Sequence, residues 1–108
     1  MSEPNETIHQ TTRLRIMTAL AGCAAGEALE FTRLQRIVNA TPGNLGAHLD
    51  TLEKAGYVAI EKDFVGRRPR TRVRATRAGR QAFSRHLAFL RQILDQDAGD
   101  GVPAAEPD

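Results

Sequence analysis

The 108-residue sequence is poor in cysteine and in large aromatic side chains: it has one cysteine, one tyrosine and no tryptophan. Because Cys23 stands alone, no disulfide can form within the chain, which suits a reducing cytoplasm. No apolar run approaches the roughly 20 residues of a membrane span, and the opening stretch "MSEPNETIHQ" lacks an apolar signal region. The sequence therefore predicts a soluble cytoplasmic protein that does not enter a membrane.

Patterns of catalytic and metal-binding residues are also missing. The sequence has no phosphate-cradling glycine loop, no zinc signature and no nucleophile motif, so we expect neither enzyme activity nor a cofactor. His9, His48 and His86 lack the spacing of metal ligands, so we expect no bound metal. One alternative stays open, because His9 and His86 would be able to sense metal or pH if they met near a subunit interface. We expect Cys23 to be a small core residue and not a redox switch, since the C-terminal end of a helix does not favour a thiolate.

Acidic residues are absent from one long stretch of the chain. Residues 67–94 hold nine arginines and no acid, whereas residues 95–108 hold five acids and no base. A block of one charge indicates a polyanionic partner. By composition we expect a flexible N-terminus over 1–6, one domain over 7–97 and a disordered acidic tail over 98–108.

Three helices are predicted in the first half of the chain. The stretch "IHQTTRLRIMTALAGCAA" has the apolar spacing of one helix, and "ALEF" after it is long enough only for a stub of strand. A short helix follows in "TRLQRIVNA", where Thr32 and Gln35 form a capping-box start. In "TPGNLGAHLDTLEKAGY", Thr41 caps a third helix and Pro42 suits its first position. Leucines at positions 45, 49 and 52 give this helix its buried face.

A predicted hairpin carries much of the basic stretch. The segments "YVAIEKDF" and "TRVRAT" alternate apolar and polar residues, as half-buried strands do, and "VGRRPR" between them contains turn residues. The alternation directs Arg72 and Arg74 away from the core and leaves Arg67, Arg68 and Arg70 at the tip. We therefore expect these arginines to be anchored on an ordered structure and aimed at a partner.

The last predicted helix covers residues 77–97, with Thr76 as its cap. Its apolar arc spans roughly 160°, wider than the roughly 100° that one core contact requires. We infer from this width that the helix packs on its own domain and on a second subunit.

Two helices joined by a tight turn, followed by a hairpin with a basic tip, predict a winged helix-turn-helix. The fold class is mainly α with a small β-hairpin (α+β), with a long C-terminal dimerisation helix. The segments "GNLGAHLDTLEKAGYV", "FVGRRPRT" and "TRAGRQAF" resemble the compact single-domain winged-helix transcriptional regulators related to the MarR and ArsR groups. The resemblance implies a dimer that binds operator DNA. We expect a homodimeric transcriptional regulator, a repressor with an activator as the alternative, that binds a palindromic operator in double-stranded DNA. Where many relatives have Ser or Arg, this chain has Gly46 and Ala47.

Small residues on the third helix would let its backbone approach a major groove, where the Asn44 amide is able to pair with adenine. The hairpin arginines would meet phosphates or enter a minor groove. The residues predicted to contact DNA are Thr32, Arg33, Thr41, Gly43, Asn44, Ala47, His48, Thr51, Arg67, Arg68, Arg70 and Arg72. The residues predicted at the dimer interface are Leu14, Met17, Phe83, His86, Leu87, Phe89, Leu90, Ile93 and Leu94. A small-molecule effector, if there is one, would bind between helices at that interface.

Two other functions stay open. A winged-helix protein-interaction module would use the arginines to grip an acidic partner, and a non-specific nucleoid-type DNA binder would need the hairpin but no base reading. The near absence of large aromatic anchors favours DNA over a protein partner, because protein interfaces use Trp and Tyr as anchors.

Overall fold

A computed structural model describes residues 4–99 of the chain, and most of the predicted acidic tail lies outside these residues. Within them are five helices and three strands, and apart from a break in the first predicted helix they follow the predicted order. They are α1 (Glu6–His9), α2 (Thr11–Ala21), β1 (Leu29–Glu30), α3 (Phe31–Val38), α4 (Pro42–Lys54), β2 (Val58–Val65), β3 (Arg68–Ala75) and α5 (Arg77–Gly99).

The N-terminal helical segment is broken in two, so the prediction of one continuous helix is wrong. Gln10 has extended backbone angles and its side chain accepts a hydrogen bond from the Arg13 N–H, which starts α2 afresh. Asn5, predicted to lie in a flexible segment, caps α1 by accepting from the Ile8 N–H. The N-termini of α1 and α2 are thus both set by a polar side chain that accepts from an otherwise unpaired backbone N–H group.

The predicted capping box at Thr32 is also wrong. Helix α3 begins one residue earlier, at Phe31, and its N-cap Glu30 makes no side-chain capping bond. The reason lies in the sheet: Leu29 and Glu30 pair with Val73 and Arg72 of β3, so the backbone is extended up to Glu30 and turns helical directly after it. The cap predicted for α4 is confirmed, because Thr41 Oγ1 accepts from the Asn44 N–H and Pro42 occupies the first turn.

The three strands form an antiparallel sheet in the order β1-β3-β2. The β2–β3 register runs from Val58 opposite Ala75 to Val65 opposite Arg68, which leaves Gly66 and Arg67 as a two-residue turn. Gly66 has φ 64°, as the first position of a type II′ hairpin turn requires, and glycine adopts this angle without strain.

The core joins one face of the sheet to the helices. Leu45, Leu49 and Leu52 of α4 are buried as predicted, together with Val58 and Val73 of the hairpin. Most of the remaining core side chains come from α1, α2, α3 and the first turns of α5. The fold is therefore mainly helical with a small sheet, which confirms the predicted winged-helix architecture.

The junction between β3 and α5 is tightly packed. Thr76 Oγ1 accepts from the Gly79 N–H and donates to the Gly56 carbonyl, so the predicted cap of the last helix also ties it to the end of α4. A Cβ at Gly79 would lie 2.0 Å from the carbonyl oxygen of Tyr57. Only glycine permits this approach, which fixes the angle at which α5 leaves the sheet.

Candidate nucleic-acid interface

The first two turns of α4 form an open surface opposite its buried leucines. Gly43, Asn44 and Ala47 are all exposed there, and the backbone N–H of Asn44 donates to Thr41 Oγ1. The Asn44 side chain makes no hydrogen bond to any residue within 4–99. Thr51, one turn further on, donates its hydroxyl to the Ala47 carbonyl. The side chain available for reading a base on this surface is therefore Asn44.

The C-terminal half of α4 is acidic on the side that faces the hairpin. Asp50 and Glu53, with Gly46, line an open groove of about 470 Å³ whose other wall includes Lys62 of β2. Asp50 also forms an ion pair of 3.0 Å with Lys54. Carboxylates repel phosphates, so DNA contact by α4 is expected at its N-terminal half.

His48 faces the protein and not the open surface of α4. Its Nδ1 lies 3.1 Å from a guanidinium nitrogen of Arg13, which can only donate, so His48 accepts. Arg13 Nε donates in turn to the Thr7 carbonyl of α1. Burial, and then the charge of Arg13, lower the pKa of His48. This predicted DNA contact therefore ties α4 to α1 and α2.

The strand arginines of the hairpin are already paired. Arg70 donates Nε to Asp63 Oδ1 at 2.9 Å and Nη2 to Asp63 Oδ2 at 2.7 Å. Arg74 donates to Glu61 at 2.9 Å, and Arg72 lies within 3.5 Å of both carboxylates. The hydrogen bond from Arg70 is the main cause that lowers the pKa of Asp63. The sequence missed these pairs, although a turn at Gly66 and Arg67 by itself sets Asp63 opposite Arg70.

Arg80 is held by a helix end. Its guanidinium donates to the carbonyls of Cys23 and Ala24 at 3.1 and 3.0 Å and lies 3.4 Å from that of Leu20. These carbonyls end α2 or follow it, where the helix dipole favours a cation. Cys23 itself is half-buried, with its Sγ 3.7 Å from the Ala19 carbonyl. Arg80 is therefore structural.

The tip of the hairpin keeps its charge free. We call residues 64–69 the wing tip, and residues 58–63 with 70–75 the wing base. Arg67 and Arg68 of the wing tip are exposed, and their side chains have no ion pair or hydrogen bond within residues 4–99. Thr32 and Arg33, predicted to contact DNA from α3, are exposed as well. The predicted arginine cluster thus divides into a paired set in the wing base and a free pair in the wing tip.

The residues predicted at the dimer interface differ in how deeply they are buried within the single chain. Met17 and His86 are fully buried within the single chain and Phe83 nearly so, so we assign these three to the core. Ile93 and Leu94 near the end of α5 are 40% and 67% exposed. Half-buried positions make up the rest, namely Leu14, Leu87, Phe89 and Leu90.

His9 and His86 do meet, inside one chain. The Asn5 N–H donates to His86 Nδ1 at 3.2 Å, and His86 Nε2 lies 3.3 Å from His9 Nδ1. Since a backbone amide only donates, a neutral His86 carries its proton on Nε2, toward His9. Asn5 also donates its side-chain amide to the Tyr57 hydroxyl. Burial is the main cause that lowers the pKa of His86. Within residues 4–99 no third metal-ligating side chain joins this pair.

An exposed helix N-terminus beside a hairpin with free arginines at its tip defines a DNA-binding module of the helix-turn-helix class. Comparison with known proteins agrees. Residues 12–94 match the family model of the winged helix DNA-binding domain. The chain belongs to this family and is a DNA-binding transcriptional regulator. Within residues 4–99 no helix is long and apolar enough to cross a membrane.

Two solved structures of transcriptional regulators and one uncharacterized protein are similar to this chain. A solved structure described as a transcriptional regulator homologue from Pyrococcus horikoshii OT3 is 32% identical, with a TM-score of 0.75 over 85% of this chain and 88% of that one. The uncharacterized protein MJ0432 of Methanocaldococcus jannaschii is 33% identical over 79% of this chain and 89% of its own length. A MarR family regulator from Silicibacter pomeroyi is 26% identical, with a TM-score of 0.64 over 84% of this chain and 58% of that one.

Proposed function

We propose that the protein acts as a homodimeric repressor on a palindromic operator. The two copies of α4 would enter successive major grooves by their N-terminal halves, and the wing tips would hold the flanking backbone. The observation that carries this proposal is the pairing pattern of the charges: the side chains of Arg67 and Arg68 in the wing tip are unpaired within residues 4–99, while Arg70 and Arg74 of the wing base are bound to carboxylates. A bound dimer represses by covering promoter DNA.

The dimer is supported by the end of α5. Ile93 and Leu94 expose apolar side chains there, and such a patch gains by burial against a second copy. Changing both residues to Asp should give a folded monomer, as measured by light scattering and circular dichroism. Gln96→Asp is the matched control, because it adds an acid to the same exposed helix end, roughly 110° around the helix from the patch. A wild-type protein that is monomeric at micromolar concentration would contradict the dimer.

The operator is tested by selection from a random pool of duplexes. A two-fold symmetric consensus with half-sites about one helical turn apart is the expected result. Enrichment without a consensus would favour the non-specific nucleoid-type binder. No enrichment at all would favour the protein-interaction module. Transcription in vitro from a promoter that overlaps the consensus then distinguishes repression from activation.

Base reading is expected at Asn44. Asn44→Ala should weaken binding to the selected operator by roughly 1–3 kcal/mol and leave binding to unrelated DNA nearly unchanged. Ala47→Glu should abolish both, because it brings bulk and negative charge against the groove. Circular dichroism and sizing must show that both variants stay folded. A folded Ala47→Glu variant with normal operator affinity would exclude α4 from the groove.

A further inference from the structure

The wing tip is apolar as well as basic. Phe64 is 69% exposed and its neighbour Val65 is 53% exposed. The chain has five aromatic side chains, and among them Phe64 alone is classed as exposed, while Phe83 is buried and the other three are partly buried. A large apolar side chain kept in water at an exposed tip indicates a contact surface.

The position of Phe64 is fixed by the hairpin. It lies opposite Pro69 in the antiparallel ladder, which continues past it to the pair Val65 and Arg68 beside the turn. Paired residues on both sides of Phe64 restrain its backbone. The aromatic ring therefore projects from an ordered strand close to the turn. Because the backbone at Phe64 is already ordered in the free protein, binding does not lose further backbone entropy there.

The side of the hairpin from which Phe64 projects is the side of α4. In β2, side chains alternate, so Val58, Ile60, Lys62 and Phe64 share one side. Val58 is in the core, and Ile60 and Lys62 line the groove beside α4. Phe64 follows two residues beyond Lys62, roughly 7 Å further out along the strand. It therefore lies on the same side of the hairpin as this groove, beyond Lys62 toward the turn.

The charges around Phe64 select the partner. The side chains of Arg67, Arg68 and Lys62 have no ion pair or hydrogen bond in the part of the chain that the structure describes. An apolar protein surface would leave these cations unpaired on contact, whereas DNA offers phosphates next to the apolar edges of sugars and bases. Charge complementarity therefore points to DNA.

We propose that Phe64 is an apolar wedge that enters the minor groove and partly unstacks one base step, while Arg67 in the turn and Arg68, whose long side chain starts from the opposite side of the hairpin, bind nearby phosphates. This inference rests on the DNA contact proposed above for the wing tip. It also makes Phe64 a determinant of sequence choice, because pyrimidine–purine steps such as TA and CA unstack and bend most easily. Selected operators should be enriched in such steps where the wing tip lies.

The test uses the full chain and the duplex that wild-type protein selects from a random pool. 2-Aminopurine replaces single adenines flanking the half-sites, and donor and acceptor dyes at the duplex ends report bending. With wild-type protein we expect increased 2-aminopurine fluorescence at one flanking step and higher energy transfer. Phe64→Ala should remove both signals and weaken binding about tenfold, within the range of aromatic contacts to bases. Phe64→Leu should keep most of the bend, since leucine also serves as a wedge.

Val65→Ala is the matched control, because Val65 is the adjacent exposed apolar residue and projects from the opposite side of the hairpin. It should behave as wild type. Equal losses in Val65→Ala and Phe64→Ala, or full bending and affinity in a folded Phe64→Ala variant, would overturn the wedge while leaving the proposed DNA-binding function intact. A DNA-free change of oligomeric state in Phe64→Ala would assign the tip to a protein contact and overturn it as well. Failure of wild type to select any duplex would instead contradict the proposed operator function.

Discussion

The wing base and the wing tip both carry arginines, but only the tip presents them with free charge. In the base, Arg70, Arg72 and Arg74 are opposed by Asp63 and Glu61 of the neighbouring strand. A phosphate that approaches these arginines must compete with carboxylates already in place, so the gain on DNA binding is small.

The contrast extends to what each region does for the fold. The wing base supplies Val58, Val73 and Ala75 to the core and continues into the close contact at Gly79. The wing tip supplies no buried side chain. Changes in the base are therefore expected to act on stability, and changes in the tip on DNA binding.

The largest effect is expected at the base. Gly79→Ala places a methyl group 2.0 Å from a backbone oxygen, and backbone cannot move aside as a flexible side chain does. The free energy of unfolding, measured in urea, should fall by about 3 kcal/mol or more. Gly46→Ala is the control: its Cβ meets nothing within 4 Å, so stability should stay or rise by up to about 1 kcal/mol. Equal stabilities of the two variants would disprove the close contact.

The next largest effect is expected in the salt dependence of DNA binding, when the two free arginines of the wing tip are removed. Arg67→Ala together with Arg68→Ala should reduce the slope of log affinity against log salt concentration by about 1.8, since each phosphate contact adds about 0.9. Unfolding in urea should be nearly unchanged. Arg72→Ala with Arg74→Ala removes the same formal charge from the base and should change the slope much less. If the two double variants give the same slope, net charge alone matters and pairing does not.

A smaller effect is expected when a carboxylate of the wing base is removed, because this gives the base free arginines like those of the tip. Asp63→Asn removes the carboxylate that binds Arg70 and approaches Arg72. The freed guanidinium groups should bind phosphate, so the salt slope should increase by about 0.9 for each phosphate that they bind. The stability should fall only slightly, because solvent screens these partly exposed partners. An unchanged slope would mean that the wing base does not reach DNA in the complex.

The smallest effect is expected from pH, far from the tip. Burial lowers the pKa of His48 and His86, so the folded state favours their neutral forms. The contribution of these two histidines to the free energy of unfolding is therefore fully present above the unfolded pKa of about 6.5. It decreases as the pH falls below that value, because the histidines of the unfolded chain take up protons first. Around His86, His9 opposes protonation and Glu6 favours it.

Urea midpoints measured at pH 7.5 and 5.5 test this expectation. The midpoint of the wild type should drop on acidification, and the drop should be smaller in His86→Gln, which keeps an acceptor for the Asn5 N–H but does not titrate. His9→Gln is the control for an exposed neighbour. A wild-type midpoint that rises toward pH 5.5 would reverse the assigned direction.

Much of the fold was accessible from local patterns. The caps at Thr41 and Thr76, the leucine face of α4 and the alternation of the hairpin were all confirmed, because each depends on residues close together in the chain. The sequence did not reveal helix boundaries that depend on residues far away in the chain. Helix α3 begins at Phe31 because β1 pairs with β3, more than 40 residues away, and the break at Gln10 accompanies the contacts of Asn5 with Tyr57 and His86.

By itself the sequence determined the class of the protein. The periodicity of the helices and strands and the block of arginines are local patterns, and they do not depend on how the elements pack. In the wing base, Asp63 and Glu61 bind Arg70 and Arg74 through the hairpin register, which the turn at Gly66 and Arg67 sets locally. Only the tertiary structure decided that Arg80 is bound, because the carbonyls of Cys23 and Ala24 are 57 and 56 residues away in the chain. The physical reason is that electrostatic pairing depends on distance in space, and Arg80 comes to 3.1 and 3.0 Å from these carbonyls only after the chain has folded.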